Sequence, residues 1–311
     1  MNNNTVAIDV VELTKRYGSI AQGVLAVDGA SFQVRRGEIF GYLGPNGAGK
    51  TTTIRMLTGL ARPTAGRANV LGLDIAHHMP QIKKRIGVVP EASNLYGELT
   101  AFDNLVFSMQ LYGVPRRERA RRADDLLARF RLTDKRDVLF ARLSRGMKRA
   151  LTVAAALAHR PEVVFLDEPT TGLDVASAHN LRQVISELRA QGVTLFLTTH
   201  YLEEAERLCD RIGLIVQGRI VALDTVDGLK ARLQGGTAVE LTVDDKGGRI
   251  EIQRVVGEDV AGAVRTALAR VEAEGKHVLA INTVRPTLQD AVVQLTGMSV
   301  DVMRADGGRG K

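Results

Sequence analysis

The sequence is poor in residues that build cross-links: its 311 residues include one cysteine, Cys209, and no tryptophan. A single cysteine excludes a disulfide within the chain and a metal site made of several thiolates. Because free cysteine is among the most buried residue types, we expect Cys209 to pack in a core.

Long apolar runs are also missing. No stretch approaches the roughly 18 consecutive apolar residues that a transmembrane helix needs. The polar start, Met1-Asn-Asn-Asn, does not have the pattern of a signal peptide. These features predict a cytosolic chain.

The charge balance is basic and leaves several partners open. Apolar residues make up 45% and charged residues 25%, which is typical of a globular protein of about two domains. The net charge of +7 permits attraction to nucleic acid, nucleotides or anionic lipid without choosing among them. We interpret the densest basic run, residues 116–122, as a solvated helix face. A patch for acidic lipid or a partner is the alternative.

What the sequence does contain is the phosphate-binding pattern G-x-x-x-x-G-K-[ST], matched without an exception. It lies between an apolar run and a helix-like segment, and its glycines let backbone N–H groups point at phosphate oxygens. The predicted phosphate-binding residues are Gly44, Pro45, Asn46, Gly47, Ala48, Gly49, Lys50, Thr51 and Thr52. We expect Lys50 to reach the β- and γ-phosphates and the Thr51 hydroxyl to bind Mg²⁺. For this motif alone, a glycine-rich turn that binds nothing is the alternative.

Polar groups follow two further strand-like runs. The apolar run Val163-Val-Phe-Leu166 leads into two carboxylates. The first, Asp167, is the predicted Mg²⁺ ligand, and Glu168 is predicted to polarise a water for attack on the γ-phosphate. The apolar run at 193–197 predicts a strand with His200 near its end. Open parallel sheets bind their ligands at the carboxyl ends of the strands.

The order of the patterns predicts a fold class. Strands that alternate with helices favour an α/β core with a mainly parallel sheet. We expect N-terminal strands at 6–11 and 24–34 with a turn at 15–18 between them, and a helical insertion at 100–139. Tyr17 is a candidate to stack on a purine ring, with a plain surface tyrosine as the alternative.

Together these residues closely resemble the ATP-binding subunit of an ABC transporter, from Val6 to about Leu233. The ordered motifs that carry the resemblance are the phosphate loop (Walker A), the 163–168 segment (Walker B), Leu143-Ser-Arg-Gly-Met147 at the signature position, Gly172-Leu-Asp174 at the D-loop and His200 at the switch position. The resemblance implies ATP and Mg²⁺ as ligands. It also implies Tyr17 as the adenine-stacking aromatic, Glu168 as general base and His200 as a γ-phosphate contact.

Two segments depart from the usual family pattern. The signature has Arg145 and Met147 where Leu-Ser-Gly-Gly-Gln is usual, and Glu91 stands where the family usually has glutamine. A carboxylate about 4 Å from a phosphate charge is repelled by roughly 4 kcal/mol at a surface-like dielectric, so Glu91 as a metal ligand is left open. Both departures resemble the ABC-2 exporter branch of drug-resistance (daunorubicin-type) and sodium-export proteins. We hypothesise that Glu91 couples ATP binding to a membrane partner.

The signature position predicts a site shared by two chains. Ser144 is predicted to cap a helix whose N-terminus favours an anion. In the family, the N-terminus of this helix contacts the γ-phosphate of the ATP bound by another subunit. The resemblance therefore implies a head-to-tail pair of ATPase domains in which Ser144 and Gly146 serve the neighbour's ATP. Asp174, at the D-loop, is a further predicted ATP-binding residue.

After the ATPase domain the composition changes at Gly235. Apolar and polar residues first alternate, as in a strand, and then follow helical spacing, which predicts a small α+β appendage. A structural or dimer-stabilising role is favoured for it, with regulation of the ATPase as the alternative. The predicted domains are 1–233, with a helical subdomain at about 98–160; the accessory domain 234–303; and a disordered tail 304–311. The predicted fold is thus an α/β P-loop NTPase core with an antiparallel N-terminal β part, an inserted helical subdomain and this appendage.

The leading functional hypothesis is an ATP-hydrolysing motor subunit of an exporter. Its expected partners are a second ATP-binding subunit, as a homodimer, and a multi-span permease, at the cytoplasmic face of the cell membrane. We expect no direct contact with nucleic acid. One alternative is a non-transport ABC-type ATPase acting on nucleic acid or ribosomes, which only the basic charge favours. Another is a nucleotide-binding regulatory protein without turnover, against which Lys50, Glu168 and His200 argue.

Overall fold

The computed structural model of the chain describes residues 5–19, 23–232, 238–244, 250–256, 260–284 and 287–297. The chain divides into two compact units, the first running to Val226 and the second spanning Asp227–Met298. The domain limits predicted at 233/234 and 303/304, and the predicted tail 304–311, lie outside the described residues.

The first unit consists of strands and helices that alternate along the chain. In chain order they are β1 (Val6–Tyr17), β2 (Val24–Arg35), β3 (Ile39–Leu43), α1 (Lys50–Leu57), β4 (Ala65–Val70), β5 (Leu73–Asp74), α2 (Met79–Lys83), β6 (Ile86–Val89), α3 (Ala101–Leu111), α4 (Arg116–Arg129), α5 (Arg145–Leu157), β7 (Val163–Asp167), α6 (Val175–Ala190), β8 (Thr194–Thr199), α7 (Leu202–Leu208), β9 (Arg211–Val216) and β10 (Arg219–Thr225). A short helix, α8 (Val226–Ala231), follows at the junction of the two units.

The main sheet of this unit has the strand order β10-β9-β3-β8-β7-β6. All neighbouring strands in it are parallel except β10, which is antiparallel to β9. Strands β3, β7 and β8 are buried along their whole length, as expected for continuous apolar runs covered on both faces. The prediction of an α/β core with a mainly parallel sheet is confirmed.

The second sheet of this unit is antiparallel, in the order β2-β1-β4-β5, which confirms the predicted N-terminal β part. The expectation that the first strand ends at Val11, before a turn at 15–18, is wrong, because β1 continues to Tyr17. A bulge at Glu12 explains the difference. Its φ of 49° lies in the left-handed region, and its N–H donates to Ser31 Oγ at 2.8 Å. A bulge interrupts the alternation of side chains, so the pattern stops while the strand continues.

Helices α3, α4 and α5 lie between β6 and β7, which confirms the helical insertion. The basic run forms the first half of α4, where Arg116, Arg117 and Arg121 are exposed and Arg122 pairs with Glu118. Among the residues described, no helix is long and apolar enough to cross a membrane.

An aromatic cluster forms the centre of the first unit. The Phe196 ring on β8 lies with its centroid 5.4–5.9 Å from those of Phe32, Phe40, Tyr42 and Phe165. Cys209 is also buried, at 8% exposure, as its expected packing role requires.

The second unit is a three-stranded antiparallel sheet with helices, an α+β arrangement as predicted. Its elements are β11 (Ala238–Asp244), β12 (Ile250–Val256), α9 (Val260–Ala273), β13 (His277–Val284) and α10 (Leu288–Thr296), and the strand order is β12-β11-β13. Alternate residues of β11 and the small side chains of α9 form its core: Val239, Leu241, Val243, Ala263, Ala267 and Val271. The prediction missed β12.

We expect Phe196→Ala to lower the free energy of unfolding by about 3–5 kcal/mol, because it removes contacts with four rings and leaves a cavity. Urea unfolding followed by circular dichroism measures this, since the chain has no tryptophan. The control is Leu111→Ala at a position that is 68% exposed, where a change within about 0.5 kcal/mol is expected. A loss below about 1 kcal/mol for Phe196→Ala would contradict a central role for the cluster.

Candidate functional site

The loop between β3 and α1 has the shape that the phosphate-binding pattern predicts. Gly49 precedes the helix with a φ of 108°, a conformation that other residues rarely adopt. A Cβ at this position would lie 2.4 Å from the carbonyl oxygen of Ala26, so the loop closes against β2 only with glycine here.

The start of α1 favours an anion. The first N–H groups of a helix have no partner within the helix, and the aligned peptide dipoles leave partial positive charge there. No acidic residue lies in the first turn of α1 to compete for this charge. Lys50, the first residue of the helix, adds a full positive charge to the same place.

The Lys50 ammonium group is buried, at 6% exposure, and is held by three groups of the chain. Its Nζ donates to the carbonyl oxygens of Gly44 at 2.7 Å and Pro45 at 3.2 Å, and lies 3.2 Å from Glu168 Oε1. Ala48 in the same loop is also buried. The loop is thus stabilised by its own residues Gly44, Pro45 and Ala48. Lys50 connects the loop to the carboxylate of Glu168, the residue after β7.

Glu168 lies at 7% exposure between two basic side chains. His200 Nδ1 is 2.8 Å from Glu168 Oε2, and Thr171 Oγ1 donates to the same oxygen at 3.2 Å. Burial would raise the pKa of Glu168, but the hydrogen bond from His200 and the charge of Lys50 outweigh burial and hold that pKa below its ordinary value. The carboxylate is therefore ionised at neutral pH and can accept a proton.

The backbone of Glu168 is strained. Its φ is 48°, in the left-handed region that non-glycine residues seldom occupy. Its N–H donates to both the carbonyl oxygen and the hydroxyl of Thr198 on β8, each at 3.1 Å. Such strain persists only where surrounding contacts maintain it, and it concentrates at functional sites.

Asp167 is the last residue of β7 and is 4% exposed. Its Oδ1 accepts a hydrogen bond from Thr198 Oγ1 at 2.6 Å. A hydroxyl at Thr51 and a carboxylate at Asp167 are hard oxygen donors, and Mg²⁺ commonly takes only one or two protein ligands beside phosphates and water. These two oxygen donors are therefore of the kind that suits Mg²⁺ bound with a phosphate. The described residues contain no group of three or more His, Cys, Asp or Glu that could hold a metal.

One cleft of about 170 Å³ brings most of the predicted residues together. The loop contributes Asn46, Gly47, Gly49, Lys50, Thr51 and Thr52. Opposite them lie Glu91, Glu168 and His200. Two further residues, Ala26 and Thr171, line the cleft and were not among the predicted site residues. Thr171 could have been predicted, because its hydroxyl lies only three residues after Glu168 in the sequence. No sequence pattern predicts that Ala26 lines the cleft.

Eight predicted residues do not line this cleft. Four of them, described above, lie within the phosphate loop or at the end of β7: Gly44, Pro45, Ala48 and Asp167. The other four are Tyr17, Ser144, Gly146 and Asp174. Tyr17 is 40% exposed at the end of β1, with Lys15 Nζ 4.9 Å from its ring centroid. Ser144 and Gly146 line a separate cavity of about 280 Å³. Asp174 caps α6, accepting from Ser177 N at 2.9 Å. Within one chain, therefore, the signature and D-loop residues do not line the cleft formed by the phosphate loop.

The signature segment is locally as predicted. Ser144 caps α5, its Oγ accepting from Met147 N at 3.3 Å, which confirms the predicted cap. Arg145, at the first departure, lies against Gly172, where a Cβ would be 1.9 Å from Nη2 of the arginine. The arginine thus fits because the D-loop has glycine at this contact.

These features define a class of protein: a P-loop nucleoside triphosphatase with two carboxylates at the end of β7 and a histidine after the neighbouring strand β8. Comparison with known proteins identifies the family within this class. The ABC transporter family model matches residues 27–171. The chain is 40% identical over 314 aligned residues to a daunorubicin resistance ATP-binding protein of Streptomyces coeruleorubidus, covering 94% of this chain and 95% of that one. It is 42% identical to a Nod factor export ATP-binding protein I of Ralstonia nicotianae, covering 88% and 80%.

Solved structures of ABC transporter ATP-binding proteins are also similar to this chain. An ATP-binding subunit of an ABC transporter matches with a TM-score of 0.66 at 33% identity, covering 73% of this chain and 92% of that one. A dimeric bacterial ABC transporter cassette matches with a TM-score of 0.65 at 25% identity, covering 70% and 98%. The chain belongs to the family of ABC transporter ATP-binding subunits and is an ATPase of that family.

We expect His200→Ala to raise the pKa of Glu168, because it removes the hydrogen bond that does most to oppose burial. In the wild type this pKa lies below its ordinary value, so we expect protonation of Glu168 to limit hydrolysis only in acid. In the variant the acid limb of kcat/KM for ATP should move to higher pH. His179→Ala, at an exposed position on α6, is the matched control. An acid limb at the same pH in both variants would contradict this assignment.

Proposed function

We propose that the chain is the ATP-hydrolysing motor subunit of an exporter and drives a separate membrane permease. The observation that carries the proposal is the Lys50–Glu168–His200 cluster beside the phosphate loop, with Glu168 held ionised. Relatives named for drug resistance and for Nod factor export support the direction of transport. The alternative of an ATPase acting on nucleic acid or ribosomes has no comparable support.

The proposed chemistry is direct hydrolysis of ATP. The loop amides, the start of α1 and Lys50 bind the phosphates, and Tyr17 stacks on the adenine, for which about 1–3 kcal/mol is typical. Glu168 accepts a proton from the attacking water as that oxygen bonds to the γ-phosphorus and the bond to the β–γ bridging oxygen breaks. The products are ADP and phosphate. His200 orients Glu168 and contacts the γ-phosphate.

Mg²⁺ would be held by Thr51 and Asp167. When bound with ATP, it neutralises charge on the phosphate oxygens. Thr198 orients the Asp167 carboxylate for this role through its 2.6 Å hydrogen bond. Glu91 lines the same cleft.

A second copy of the chain completes the site. Ser144, Gly146 and Asp174 lie outside the cleft of their own chain, as expected if they serve the ATP of a neighbour. The related dimeric cassette supports this arrangement. ATP binding then closes a homodimer at the cytoplasmic face of the membrane, hydrolysis opens it, and an attached permease follows. The accessory unit has a structural or dimer-stabilising role.

Glu168→Gln tests the proposed base. The variant keeps the shape of the side chain but cannot accept the proton, so we expect kcat for ATP hydrolysis to fall at least about 100-fold, within the range typical of a lost general base. ATP binding should persist, and ATP should shift the protein to a dimer in size-exclusion chromatography. Glu162→Gln, at a half-exposed carboxylate paired with Arg85, is the control with near wild-type hydrolysis. Hydrolysis by Glu168→Gln at the wild-type rate would remove Glu168 from the mechanism.

Glu91→Ala tests coupling to the membrane partner. We expect the variant to retain ATP binding by the isolated chain and to lose most of the transport-coupled hydrolysis in membranes that contain the permease. Export of a fluorescent cargo and phosphate release are measured in the same vesicles. Wild-type rates of both transport and hydrolysis would refute a coupling role.

A further inference from the structure

Arg149 on α5 is a buried guanidinium that contacts both sides of the cleft. It is 8% exposed. Its Nε donates to the carbonyl oxygen of Pro169 at 2.8 Å, and Nη2 donates to that of Asp167 at 2.8 Å. Nη1 donates to the carbonyl oxygens of Pro90 and, at 3.1 Å, Glu91. One side chain therefore connects the end of β7, the turn after it and the segment after β6.

Two of these acceptors flank Glu168 directly. The backbone of Glu168 is in the left-handed region, with a φ of 48°, and its amide is held by Thr198. The carbonyls before and after it are held by Arg149. Because hydrogen bonds from a charged donor are stronger than neutral ones, Arg149 is well suited to maintain this strained turn.

Arg149 keeps its charge in this position. Burial lowers its pKa to about 10, against the opposing effect of the nearby charges of Asp167, Glu91 and Glu168. The guanidinium is thus protonated at neutral pH. A planar fork with five N–H donors can bond several carbonyls at once, which a lysine ammonium cannot do with the same geometry.

The helix that carries Arg149 is also the helix that begins at the signature. Ser144 caps α5, and Arg149 follows five residues later, so the two lie about 7.5 Å apart along the axis of one rigid element. Arg149 therefore links the capped helix to the carbonyls around Glu168.

We propose that Arg149 is a positioning residue that holds the Glu168 turn in its catalytic geometry and transmits the position of the signature helix to it. The inference rests on the proposed function for the role of Glu168 as general base. Arg149 does not contact the reacting atoms, and its effect is on the placement of the carboxylate.

Arg149→Lys and Arg149→Gln test the proposal in the full chain. We expect kcat for ATP hydrolysis to fall at least about 10-fold in Arg149→Lys and further in Arg149→Gln, while the Kd for ADP changes less than about threefold. Amide hydrogen exchange of residues 167–173 without nucleotide should be at least about 10-fold faster than in the wild type. This second readout reports the turn itself and does not depend on hydrolysis.

The matched control is Arg211→Met. Arg211 donates to the carboxylate of Glu38 at 3.2 Å and to the carbonyl oxygen of Gln33 at 3.0 Å, and neither partner lines the cleft. It should leave both the exchange of 167–173 and kcat near wild type.

Wild-type exchange of the 167–173 segment in both Arg149 variants would overturn the inference, as would loss of folding in both, which would make Arg149 purely structural. Absence of hydrolysis by the wild-type chain with a second copy and permease present would count against the proposed function instead. In that case the exchange measurement still decides the role of Arg149.

Discussion

The site depends on keeping one buried carboxylate charged. Moving an ionised carboxyl group out of water is costly unless opposite charge and hydrogen bonds surround it. Glu168 meets this condition through Lys50 at 3.2 Å, His200 at 2.8 Å and the Thr171 hydroxyl. Each comes from a different part of the chain. The phosphate loop, the turn after β7 and the end of β8 must therefore come together for any one of them to function.

The parallel sheet brings them together. Strands β3, β8 and β7 are neighbours and run in the same direction, so their carboxyl ends lie at one edge of the sheet. The phosphate loop, His200 and Glu168 follow these three strands. Since each strand is buried throughout, the positions at which the strands end are set by packing rather than by the loops. The aromatic cluster around Phe196 contains side chains from all three strands and from β2, and so links core stability to the placement of the site.

Helix α5 connects this edge to the second half of the proposed shared site. Its capped end carries Ser144 and Gly146, and its buried Arg149 reaches the carbonyls around Glu168. The unusual Arg145 is accommodated by Gly172 in the D-loop. The signature segment, the D-loop and the turn of Glu168, the proposed general base, are thus connected within one chain, although Ser144 and Gly146 do not line that chain's own cleft.

By itself the sequence determined the features that depend on a few adjacent residues. The phosphate loop, the carboxylates after β7 and the Ser144 cap could be predicted because each needs particular residue types at short spacing. Strands hidden by a bulge or by weak patterning, such as the second half of β1 and all of β12, could not. Only the tertiary structure decided that Arg149 donates to the carbonyl oxygens of Asp167, Pro169 and Glu91. The reason is physical: these contacts join backbone carbonyls and side chains that are distant along the chain, and a carbonyl has no sequence signature.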